Sequence, residues 1–143
     1  MIKTFRSKLA DGQQQRIRLS TNQGLVGYKI LKFQIITEEP YGGANAEHVV
    51  QLTAEPQTPT ANVNFNNPLL LGVATINNAT AGYNYSSVPV IIFDHTTVNQ
   101  DMFIQHIDNA GSQACNYYIE LEQIRLNLNE ATVATLKDMR GRE

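Results

Sequence analysis

Three histidines are the first residues to weigh for chemistry. His95 follows Asp94, His106 lies two positions before Asp108, and Asp101 sits between the two histidines. If the strands expected at 88–95 and 102–108 pair, these groups converge as nitrogen and oxygen metal ligands. The spacing matches no compact metal signature, so polar groups at a hairpin end are the plainer reading. His48 stands alone in a strand and reads as structural. Cys115 is flanked by Gln113, Ala114 and Asn116, with no nucleophile motif, and reads as a buried thiol. Glu120 and Glu122 share a strand face, as glycosidase carboxylates do, but alternating Glu is also common on a solvent face, and the chain has no Trp to platform a sugar. No Gly-rich phosphate loop joins a strand to a helix. Asn78-Ala79-Thr80 and Asn84-Tyr85-Ser86 match the glycosylation sequon as chance matches in an Asn-rich chain. The sequence therefore assigns no catalytic, metal or cofactor residue, and the chain reads as a non-enzyme.

Contact chemistry is better represented. Tyr41 lies in a loop at 38–46, and Tyr83 and Tyr85 lie in an Asn/Gly/Ser-rich loop at 77–87. Tyr buries area at low entropic cost and keeps a polar tip, so such loops on a β scaffold suit a contact surface. The 55–68 connection, with Pro56, Pro59 and Pro68, belongs with them. The N-terminal segment adds Lys3, Arg6 and Lys8. These six residues, Lys3, Arg6, Lys8, Tyr41, Tyr83 and Tyr85, are the expected partner contacts. Tyr stacking on sugar rings is the alternative use of the same loops.

The elements that must position them read mostly with a period of two. Phe5, Ser7 and Leu9 alternate with Thr4, Arg6 and Lys8. Asp11-Gly12 is a turn signal, because Gly tolerates positive φ and Asp bonds its own backbone. Ile17 and Leu19 face inward in the next strand. Residues 25–36 carry apolar groups on both parities, which implies a strand covered on both faces or bent near Gly27. Strands follow at 47–54, 69–76, 88–94, 102–107 and 116–126. The period then changes: Asn129 reads as an N-cap, Glu130 suits a first turn, and Val133, Leu136 and Met139 form an apolar stripe over 129–140. About seven to nine strands with long loops predict an all-β fold, an antiparallel β-sandwich or jelly-roll-like domain with one short C-terminal helix.

The chain has 143 residues, which suits a single domain over 1–143. Charged residues make up 17%, against roughly 25% in typical globular proteins. Neutral polar residues fill the gap, with 14 Asn, 11 Gln and 12 Thr. A net charge of −2 argues against nucleic acid as a partner. One Cys excludes an internal disulfide. No apolar run approaches about 18 residues, so no membrane helix is expected, and Met1–Arg6 lacks the apolar stretch of a signal peptide. Residues 1–37 carry seven basic groups against one acidic, net +6, while residues 38–143 carry four against twelve, net −8. That asymmetry reads as internal cross-strand complementarity, or as head-to-tail recognition of another copy or a partner.

Several stretches resemble small structural proteins of marine tailed bacteriophages. They are Ile2-Lys3-Thr4-Phe5-Arg6, Arg16-Ile17-Arg18-Leu19-Ser20-Thr21, Val26-Gly27-Tyr28-Lys29-Ile30, Ile92-Phe93-Asp94 and Asn99-Gln100-Asp101-Met102-Phe103-Ile104. Cys115-Asn116-Tyr117-Tyr118-Ile119-Glu120-Leu121-Glu122 and residues 131–140 complete them. The resemblance implies a virion protein, located in the particle and present in many copies or as a homo-oligomer, whose partners are the major capsid protein or other virion proteins. It carries over no catalytic residue and no cofactor. The expected role is capsid decoration or cement. The rivals are a tail, tail-adaptor or fibre-attachment component and, from a different class, a glycan-binding module.

Overall fold

In the computed structural model, residues 1–19, 25–40, 45–78, 89–93 and 97–140 are described. Eight strands and one helix run in the order β1 (Ile2–Leu9), β2 (Gln14–Ile17), β3 (Val26–Thr37), β4 (Ala46–Thr53), β5 (Leu70–Asn78), β6 (Val90–Ile92), β7 (Met102–Asp108), β8 (Cys115–Arg125) and α1 (Leu128–Arg140). Every ladder is antiparallel. One sheet has the order β1-β8-β3 and the other β2-β7-β4-β5-β6. The fold is thus an all-β antiparallel sandwich with one short C-terminal helix. No described helix is long and apolar enough to cross a membrane.

The core follows from alternation, because successive side chains of a strand point to opposite faces. Phe5 and Leu9 of β1, Phe33 and Ile35 of β3, and Tyr117, Ile119 and Leu121 of β8 face inward from the smaller sheet. Val50, Leu52, Ala74, Ile76, Met102 and Ile104 meet them from the larger one. Burying one such side chain is worth about 1.5–3 kcal/mol. Ile17 and Leu19 are buried, as their parity predicts. The Asp11-Gly12 turn forms, with Gly12 at φ 79°. The Asp11 carboxylate does not bond its own backbone; its Oδ1 accepts the Asp108 N–H at 2.8 Å. It thereby ties the turn to β7.

β3 corrects the sequence reading. Its ladder to β8 slips between Ile30 and Lys32, leaving Leu31 without a register partner. This bulge switches parity mid-strand. Tyr28 and Ile30 before it, and Phe33 and Ile35 after it, all face the core, while Leu31, Lys32, Gln34 and Ile36 are exposed. Apolar residues on both parities therefore record a bulge, four residues past Gly27, in a strand covered on one face.

The helix corrects it twice. Asn127, not Asn129, is the N-cap: its Oδ1 accepts the Glu130 N–H at 2.8 Å, and Glu130 Oε1 accepts the Asn127 N–H at 3.4 Å. That is a reciprocal capping box. The buried face is Ala131 and Ala134, packed with Leu25, Ile124 and Leu126, whereas Val133 and Leu136 are exposed. Leu126 of this cluster also lies close to Gly27 of β3. A Cβ at Gly27 would lie 2.5 Å from Thr97 Cγ2 and 3.1 Å from Leu126 Cδ1. Buried Asn99 seats the helix by donating its Nδ2 to the Ala131 carbonyl at 3.3 Å and to Thr135 Oγ1 at 2.9 Å.

The 55–68 connection is tied to the molecule's own larger sheet. Gln51 Nε2 donates to the carbonyls of Thr60 and Asn62 at 3.2 and 3.1 Å, and the Gln57 N–H donates to Gln14 Oε1 at 3.0 Å. Gln14 and Gln51 flank Gln105 in the ladder. Val50, Leu52 and Ile104 face the core, so their neighbours Gln51 and Gln105 lie on the sheet's outer face, which this segment covers.

Candidate contact surface

The smaller sheet turns a second face outward, opposite the core. Its rows follow from register and parity: Ile2–Glu122–Lys29, Thr4–Glu120–Lys32, Arg6–Tyr118–Gln34 and Lys8–Asn116–Ile36. The central strand β8 contributes carboxylates, and the flanking strands contribute cations. Opposite charges on neighbouring strands are mutually stabilising at about 0.2–1 kcal/mol per pair. The internal complementarity expected from the charge asymmetry is present here, with Lys29 and Lys32 opposite Glu122 and Glu120. It is also present where Arg16 Nε meets buried Asp101 Oδ2 at 2.6 Å.

Local bonds shape this face further. Lys8 Nζ lies 2.9 Å from Glu38 Oε1, and that charged hydrogen bond holds the Glu38 carboxyl below its ordinary value. The Tyr118 hydroxyl donates to Glu120 Oε1 at 2.7 Å, which pushes the phenol upward. Large apolar groups are exposed on the same sheet: Ile2 at 52%, Leu31 at 47% and Ile36 at 60%. Among the described residues, β1 has no strand on its outer side. It is an eight-residue edge whose cations blunt unwanted pairing.

The structure brings together part of the expected contact set. Arg6 and Lys8 share the outer face. Lys3 has the opposite parity, and its Nζ lies 5.8 Å from the centre of the Tyr28 ring, a cation–π distance. Tyr41, Tyr83 and Tyr85 lie outside the described residues. Lys29, Lys32, Leu31 and Ile36 were missed by sequence reasoning. The signal for them was the parity break in β3, which the bulge explains.

The pairing of the 88–95 and 102–108 strands, on which the expected ligand cluster depended, does not occur. β6 and β7 belong to one sheet but have β5 and β4 between them. Asp94 and His95 lie outside the described residues. Asp101 Oδ1 instead accepts the Leu19 N–H at 2.7 Å, while Asp108, at the other end of β7, binds backbone N–H groups. His106 turns inward to His48. Glu120 and Glu122 lie on the outer face beside lysines.

No family model matches the chain, and no curated protein matches it. Among solved structures, the chain is similar to a protein from the work "Bacillus endospore appendages form a novel family of disulfide-linked pili". The identity is 9% and the TM-score 0.39, over 89% of this chain and 88% of that one. A likeness at that level carries no argument about function.

Proposed function

We propose that this chain is a non-enzymatic structural protein of a phage virion, acting in many copies as a capsid decoration or cement protein. The observation that carries the reading is the outward face of the β1-β8-β3 sheet: two carboxylates of β8 beside two lysines of β3, Arg6 and Lys8 on the edge strand β1, and three exposed aliphatic side chains on the same sheet. Exposed apolar groups within a charged frame fit a protein partner. The sequence resemblance to phage structural proteins names the class of particle. Three of the residues that sequence reading weighed as metal ligands are instead engaged in holding the fold: Asp101 with Arg16 and Leu19, Asp108 with four backbone N–H groups, and His106 with His48.

The mechanism is linkage. A subunit that binds the mature shell and not its precursor draws the equilibrium towards the mature shell. Many weak copies on one lattice add avidity. The test is a double variant, Arg6→Glu with Lys8→Glu, assayed by co-sedimentation with shells of the major capsid protein. Both side chains are exposed, so the fold should persist, which circular dichroism checks. Occupancy should fall by roughly tenfold or more, since a like-charge clash at an interface costs upwards of about 1.4 kcal/mol. Unchanged occupancy would sink this face as the docking surface.

A further inference from the structure

A second cluster lies in the core, at the end of the sandwich where Thr37 closes β3 and Cys115 opens β8. His48 of β4, His106 of β7 and Cys115 are all buried. One nitrogen of each imidazole and the Cys115 Sγ lie within 4.8 Å of one another. The facing nitrogens, His48 Nδ1 and His106 Nε2, are 2.7 Å apart. The other two are held by oxygens: His106 Nδ1 lies 3.0 Å from the Ala10 carbonyl, and His48 Nε2 lies 2.8 Å from Thr37 Oγ1. A carbonyl only accepts, so His106 carries its proton on Nδ1 and its Nε2 accepts from His48 Nδ1–H. The Thr37 hydroxyl then donates to His48 Nε2. These tautomers are assigned from the hydrogen-bond network.

We propose that His48, His106 and Cys115 form a three-coordinate site for a thiophilic monovalent cation, Cu(I). Two imidazoles and a thiolate are a soft donor set. An outer nitrogen bonded to a backbone carbonyl or another oxygen is the arrangement that orients metal-binding imidazoles, and both rings have it. Charge selects the cation. One thiolate and one monovalent ion sum to zero, which a water-excluded core tolerates. A divalent ion would leave a buried positive charge and an unfilled fourth position. Ordinary metal–ligand lengths in a trigonal arrangement place such donor atoms about 3.5–3.8 Å apart, so small side-chain rotations open the pair and close on the sulfur.

The step balances. The Cys115 Sγ–H proton leaves to solvent as the sulfur–copper bond forms. The His48 proton passes from Nδ1 to Nε2, which then donates to Thr37 Oγ1, and His106 keeps its proton on Nδ1. No electron moves, and the protein's total charge is unchanged. The ion would join the two sheets, because both histidines come from the five-stranded sheet and the cysteine from the three-stranded one. The site faces the core, away from the outward sheet face, so its fate is independent of the functional reading above.

The test titrates the full chain, reduced and without oxygen, against Cu(I) held by a chromophoric chelator, with overnight equilibration. One Cu(I) per chain should be withdrawn and the thermal midpoint should rise. Cys115→Val should withdraw none, and Thr37→Val should bind roughly tenfold to a hundredfold more weakly. No withdrawal by the unaltered chain would overturn the site. Equal withdrawal by Cys115→Val would do the same. Zn(II) bound as tightly as Cu(I) would overturn the charge argument.

Discussion

Asp108 secures one end of the sandwich. Its Oδ1 accepts N–H groups of Glu47, Ala110 and Gly111 at 2.9, 3.0 and 3.2 Å, and its Oδ2 accepts that of Gln113 at 2.9 Å. Burial pushes its carboxyl upward, but the Glu47, Gln113 and Ala110 N–H groups outweigh it and leave the value below normal. Asp108→Asn should cost about 1–3 kcal/mol in urea unfolding, because an amide offers one acceptor oxygen where the carboxylate offers two. The pH dependence of the metal-free protein has two arms. His48 is pushed down, first by burial and then by His106. The unfolded chain therefore takes up a proton that the fold refuses, and stability falls as pH drops below the ordinary 6.5. Asp108 adds to that loss below its ordinary 3.8. Cys115 is pushed up by burial from 9.0 to about 12, so the unfolded chain ionises first and stability falls between those values, by about 4 kcal/mol in full. Urea midpoints should plateau between pH 6.5 and 9.0. Cys115→Val should move the onset of the alkaline arm from 9.0 to about 10.0, where the raised Tyr117 and Tyr118 phenols begin to cost stability. At this scale the burial of Cys115 was legible from its residue type and from the absence of a nucleophile motif around it. The His48–His106 contact was not, because it depends on the β4–β7 register, which no local pattern encodes.

The elements were legible wherever period two was clean, as in β2 and β8, and the Asp11-Gly12 turn announced itself by residue type. The β3 bulge was not: a parity break reads alike from a bulge and from a strand buried on both faces. The face of α1 was misread because an apolar stripe was equated with the packed side. Here the packed side is Ala131 and Ala134, set against Leu25, Ile124 and Leu126. The cap can be tested. Asn127→Ala should cost about 1 kcal/mol and speed amide exchange in the first turn of α1, whereas Asn129→Ala should change little. Equal effects of the two would place the cap elsewhere.

For the whole molecule, the two sheets differ in what covers them. The five-stranded sheet has the 55–68 segment over its outer face, pinned through Gln14 and Gln51. The three-stranded sheet presents its own to solvent, with Glu120 and Glu122 beside Lys32 and Lys29 of β3, Arg6 and Lys8 on β1, and three exposed aliphatic groups. Sequence asymmetry between a basic start and an acidic remainder was legible. Its placement, cations on two strands around an acidic middle strand, required the topology. On the proposed function, this face docks many copies onto one particle. The most direct measurement is the number of chains per purified virion, by quantitative mass spectrometry against the major capsid protein. A cement protein should be present at on the order of hundreds of copies, commensurate with an icosahedral lattice. About six to a few dozen copies would contradict the cement role and place the chain in the tail or at a vertex. Absence from the particle would contradict a structural role in the virion altogether.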